Sequence, residues 1–170
     1  MVSGLLMVAA ATGELSSMWR IELLHPAVVH FPVALTLVGG LFWIFGQIRA
    51  LAYFRIPAGV ILILAALGAW AAVQTGLWAD AEVGRDLYDP RPLKDHENLG
   101  LAFAWLISAI ALVELARLLG IFPGRIRFWF SLGLALALAA AVGIVGYTAH
   151  SGAGLVYQQG AAVEMPPKAP

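Results

Sequence analysis

Four long apolar stretches without a single charge dominate the chain: Pro26 to Gln47, Ile56 to Ala79, Asn98 to Val113 and Phe128 to Ala149. Each is at or near the roughly 20 residues that a helix needs to cross about 30 Å of hydrocarbon. The stretches are continuous instead of alternating, so they do not have the period of barrel strands, and in lipid only helices and closed barrels satisfy their own backbone. The pattern predicts an all-α integral membrane four-helix bundle that runs up-down-up-down.

Punctuation along the chain refines the boundaries. Pro26 and Pro57 stand where the first turn of a helix tolerates a missing N–H, and Gly120 with Pro123 is expected to end the third helix. Gly152 and Gly154 are expected to stop the fourth. Asp80 to Lys94, with Pro90 and Pro92, reads as the longest loop and as a partial lid over one end of the bundle. Residues 1–24 read as an N-terminal interfacial segment, since Met1 to Ser17 lack the basic leader and cleavage site of a signal peptide. Residues 25–163 form the transmembrane domain, and the Pro-rich residues 164–170 read as a disordered tail. No internal repeat is evident.

Composition agrees with residence in lipid. The 170 residues are 61% hydrophobic and 12% charged, with a mean hydropathy of +0.86, whereas soluble domains carry about 25% charged residues. Cysteine is absent, which excludes disulfides, thiolate metal sites, iron–sulfur ligation by this chain and thioether-linked haem. Any metal is left to nitrogen and oxygen ligands. There is no Gly-rich phosphate loop, no nucleophile–base motif and no basic patch suited to nucleic acid.

Charge sets an orientation. Arg49, Arg55, Arg117, Arg125 and Arg127 gather at one end, where Glu114 is the nearby acid and Arg117 can pair with it. The other end is mixed and acidic: Asp80, Glu82, Asp86, Asp89, Asp95 and Glu97 stand against Arg85, Arg91 and Lys94. Basic residues in short loops favour the cytoplasm. The arginine end therefore reads as cytoplasmic and both termini as periplasmic or extracellular in a bacterial inner membrane, with Arg20 as one contrary charge.

The four histidines then fall at a single end. His25 and His30 open the first helix, His96 opens the third and His150 closes the fourth. Imidazole is costly in lipid and is the commonest side-chain metal ligand, so a one-sided cluster points to a site. His30, between Val29 and Phe31 and beside Pro32, lies deepest in the first helix. Pro32 also frees the carbonyl of Val28. His25 is five residues away, about 140° around the helix, so the two should serve different partners. Gly100 lies one turn from His96, and Gly146 and Gly143 lie behind His150 with Ala139 and Ala140 beyond. Such small residues either let helices pack closely or leave room for a flat macrocycle. Trp70, Gln74, Trp78, Trp105 and Tyr147 can wall such a site, but the aromatic ones read first as interfacial belt anchors.

HPAVVHFP at His25 to Pro32, TGLWAD at Thr75 to Asp80, HENLG from His96 and HSGAGLVYQQGAAV at His150 to Val163 resemble the bacterial membrane family of unknown function 2231. The resemblance spans Leu24 to Val163 and implies a four-helix membrane protein. Some relatives join domains of Rieske or cytochrome type, which by association implies redox work.

The leading expectation is a b-type cytochrome or haem-bearing subunit of an electron-transfer complex, with one or two haem b groups and partner subunits or redox proteins at the periplasmic face. His30 and His150 are the first candidate ligands, with His96 close behind; a square bundle would instead favour His30 with His96. A second expectation is a non-haem copper, zinc or iron site in which His25, His30, His96 and His150 meet Asp80, Glu82, Asp95 or Glu97. A third is a structural anchor of a larger complex, its small-residue stripes marking helix interfaces.

Overall fold

The computed structural model describes residues 20–121 and 127–163. Four helices carry the fold: α1 (Leu24–Gln47), α2 (Arg55–Val83), α3 (Arg91–Leu118) and α4 (Arg127–Gln159), with short 3-10 turns at Ile21–Leu23, Arg49–Phe54 and Gly84–Asp86. All four are long and apolar enough to cross a membrane. Consecutive helices pack against each other, and α4 returns to touch α1.

The core is built from small residues and a few large ones. Ala58, Ala65, Ala69, Ala104 and Ala141 are buried beside Leu62, Phe103 and Ile107. Close approach explains one of the glycines between α1 and α2. A Cβ at Gly39 would stand 2.9 Å from the Leu62 side chain, so α1 and α2 meet there at a distance only glycine allows. Pro32, inside α1, is buried with its ring against Gly68 of α2. Large apolar side chains such as Phe31, Leu67, Leu112 and Leu136 face outward, which a bilayer rewards and water would penalise.

Two boundaries differ from the sequence reading. The region from Asp80 to Lys94 is mostly helical: α2 continues to Val83 and α3 begins at Arg91, leaving the 3-10 turn and Leu87 to Pro90 as the connection. In that connection the Asp89 carboxylate accepts the backbone N–H of Arg91 at 3.0 Å and its guanidinium at 3.2 Å. These donors, the backbone N–H foremost, hold the Asp89 carboxyl below the ordinary carboxylate range. The Asp89 N–H donates to Gln159 at the end of α4. The connection is thus a short strap tied to α4.

The second difference is at α4, which passes through Gly152 and Gly154 without stopping. Glycine is tolerated in transmembrane helices when a neighbour fills the space. At Gly152 the neighbour is an imidazole. Termination comes at Gly160, whose φ of +68° is left-handed and whose N–H donates to the Val156 carbonyl while that of Ala161 reaches Leu155. The bond from Gly160 to Val156 is that of the αL cap, which glycine favours. Gly120, with φ +70°, ends α3 as the sequence predicts. The interfacial segment before residue 20 and the tail after residue 163 lie outside the described residues; Ile21 to Leu23 form the turn that leads into α1.

At the arginine end, Glu114 of α3 is completely buried. Its Oε2 accepts two hydrogen bonds from Arg117, at 2.8 and 2.5 Å, and Arg117 also donates to the Arg55 carbonyl at 2.6 Å. Arg55 in turn donates to the Gly46 carbonyl at 2.7 Å. These contacts lace α3, α2 and α1 together where the chain turns. Glu114 Oε1 has no partner among the described residues.

Candidate functional site: a facing histidine pair

The opposite end holds two imidazoles that turn into the bundle. His25, in the first turn of α1, places Nδ1 3.0 Å from the Ala72 carbonyl and 3.3 Å from the Thr75 hydroxyl, both on α2. His96, in the second turn of α3, places Nδ1 3.1 Å from the Thr148 carbonyl and 3.0 Å from the Ser151 hydroxyl, both on α4. Each ring lies in a space that a side chain would fill. A Cβ at Gly76 would stand 3.1 Å from Cε1 of His25, and one at Gly152 would stand 2.9 Å from Cε1 of His96.

The two sets are equivalent. In each hairpin, a histidine of the outgoing helix meets a carbonyl, then a hydroxyl three residues on, then a glycine one residue further: Ala72, Thr75 and Gly76 in the first, Thr148, Ser151 and Gly152 in the second. The sequence reading found no repeat because the histidine-to-hydroxyl spacings differ, 50 residues in one hairpin and 55 in the other. The signal lay in the TG of TGLWAD and the SG of HSGAGLVY. Thr75, Gly76, Ser151 and Gly152 are the residues that reasoning from histidines alone missed.

Hydrogen-bond directions fix the tautomers. A carbonyl only accepts, so Nδ1 of each histidine must donate. The hydroxyls do not reverse this, because Thr75 gives its proton to Ala71 or Ala72 and Ser151 gives its own to Thr148. In the neutral ring, Nε2 is then a bare lone pair. Among the described residues none hydrogen-bonds to either Nε2. The ring centroids are 6.1 Å apart, with the planes at 89°.

The histidines expected to converge do not all do so. His30 and His150 are exposed, so the expected inward cluster of His30, His96 and His150 is replaced by His25 with His96. The helical offset explains the first exchange: with His25 turned toward α2, His30 lies on the outer surface, where its Nδ1–H donates to the Pro26 carbonyl of its own helix at 2.5 Å. The second follows from Ser151, which takes the α3-facing position and leaves the adjacent His150 outside. Gly143 and Gly146 are also exposed, with open space where a Cβ would be; Gly100, half-buried one turn from His96, faces open space as well.

The acids do not join the pair. Among the described residues no group of three or more His, Cys, Asp or Glu side chains is placed to hold a metal ion. Glu82 and Asp95 are exposed, and Glu97 turns to Lys94 at 2.7 Å. The aromatic residues lie largely on the surface: Trp70 and Trp105 stack edge-on at 5.0 Å, Trp70 donates to Ser108, and Trp78 and Tyr147 are exposed.

A family model described as "Predicted membrane protein (DUF2231)" matches residues 22–165, and the chain belongs to that family. No curated protein and no solved structure matches it.

Proposed function

We propose that this member of the DUF2231 family is a membrane electron-transfer subunit in which His25 and His96 would hold a b-type haem. The observation that carries the reading is the convergence of two imidazoles with bound Nδ1 and bare Nε2, and of no third metal-binding side chain among the described residues. A bare copper, zinc or iron ion asks the protein for three or four ligands. A haem asks for two, because the macrocycle supplies the rest. The ring centroids of His25 and His96 lie 6.1 Å apart, near enough for the two imidazoles to meet one bound group. The open space at Gly100 lies beside His96.

Haem would supply a one-electron couple. The protein's part is to hold the two imidazoles, fix their tautomers through Ala72 and Thr148, and exclude water with the surrounding helices. The exposed residues Ala139, Ala140, Gly143 and Gly146 on α4 support a place for a partner helix, so the anchor reading becomes a second role of the same subunit.

Purified from haem-replete cells, the full chain should show a Soret band that shifts on reduction by dithionite, and should release its haem on acid extraction. Absence of the band together with stoichiometric copper, zinc or iron would replace haem by a non-haem site. Absence of both would leave the anchor role alone.

Arg49, Arg55 and Arg117 at the far end support a cytoplasmic placement there and an extracytoplasmic histidine pair in the inner membrane. A reporter active only in the cytoplasm should then stay silent at either terminus. Activity from both terminal fusions would invert the topology.

A further inference from the structure

We propose that Thr75 and Ser151 are equivalent positioning residues, each hydroxyl holding the facing imidazole by Nδ1 so that both Nε2 lone pairs are presented to one shared centre. The inference rests on the histidine-pair reading for the identity of that centre, but its geometric content concerns only this chain's residues.

A carbonyl alone leaves an imidazole free to swing about a single hydrogen bond. Each ring here has a second acceptor. Thr75 Oγ1 and the Ala72 carbonyl flank Nδ1 of His25, and Ser151 Oγ and the Thr148 carbonyl flank Nδ1 of His96. The hydroxyl protons are already committed to carbonyls of their own helices, at 3.0 Å for Thr75 and 2.8 Å for Ser151, so what the hydroxyls offer the rings is lone pairs. The back-bonding also locks each hydroxyl in place. Gly76 and Gly152, one residue on, keep the ring seats clear. Every element therefore occurs twice, once per hairpin, and the two ring centroids lie 6.1 Å apart.

Groups that bind the distal nitrogen of a ligating histidine orient it and raise its basicity, and their loss commonly weakens metal binding 10–100-fold. Thr75→Val preserves shape and removes the hydroxyl; Ser151→Ala does the same at the second seat. Each is expected to weaken hemin binding by the full-length protein about 10–100-fold and to raise the midpoint potential, because a less basic imidazole stabilises the oxidised iron less. The two shifts should have the same sign and similar size, and Thr75→Ser and Ser151→Thr should restore wild-type behaviour. Wild-type affinity and potential in both hydroxyl-free variants would overturn the proposal.

A second measurement separates its failure from that of the haem reading. In haem-free, full-length protein labelled with 15N-histidine, His25 and His96 should appear as Nδ1–H tautomers in the wild type and in both variants, since the carbonyls of Ala72 and Thr148 remain. Thr75→Val and Ser151→Ala should each free only the facing ring to swing, read as a change in that ring's relaxation alone. That result would support the positioning role even if hemin did not bind. Finding Nε2–H tautomers in the wild type, or no change in either variant, would refute it whatever the chain binds.

Discussion

Replacing His25 or His96 with alanine should abolish the haem spectrum, while replacing His30 or His150 should leave it. The loss is expected to be complete because either change removes one of two protein ligands, and among the described residues no third metal-binding side chain is placed beside them to substitute. His30 and His150 are exposed. Soret absorbance per mole of protein, measured for the four variants purified in parallel, checks this. A spectrum that survives in His25→Ala and His96→Ala but disappears in His30→Ala or His150→Ala would move the centre to the outer surface, beside Gly143 and Gly146.

Arg117→Ala should cost the bundle about 3–5 kcal/mol, the usual penalty for stranding one partner of a buried ion pair. Glu114 has no exposed surface, and Arg117 is the only donor to its carboxylate among the described residues. The same substitution releases the Arg55 carbonyl, so the start of α2 loosens as well. Replacing both members with apolar residues, as in Glu114→Leu with Arg117→Met, should recover most of the loss, since the cost lies in the uncompensated charge. Denaturant unfolding of the variants in detergent micelles reads the difference. An Arg117→Ala protein as stable as wild type would show that the pair contributes nothing to holding α2 and α3 together.

Hydropathy made the four helices legible, because an uncharged run long enough to span lipid has few other destinations. The ends were less legible for a specific reason. Gly152 read as a stop signal on local grounds, yet its role is set by His96, which is distant in sequence and fills the space the missing side chain leaves. Asp80 to Lys94 read as a loop from its charges and prolines, but helices that emerge from a membrane can continue into water, and Pro92 fits the first turn of α3.

The histidines were legible as a one-ended set and not as a pair. Sequence gives depth along a helix well and rotation about it poorly. The separation of His25 from His30 by about 140° correctly implied that the two would diverge, but could not say which one faced inward. Polar neighbours held that information: Thr75 and Ser151, each followed by glycine, mark the inward faces of α2 and α4. Glu114 and Arg117 were close in sequence, and their pairing was readable from that spacing alone.

The way each imidazole is fastened has a mechanical consequence. His25 is held by α2 and His96 by α4, so each ring travels with its own hairpin and neither is tied across the gap between them. The distance between the rings is therefore a caliper reading of how the two halves of the bundle sit against each other. Anything that bridges the rings acts as a strut between the halves, and anything that slides one hairpin along the other changes the gap at once.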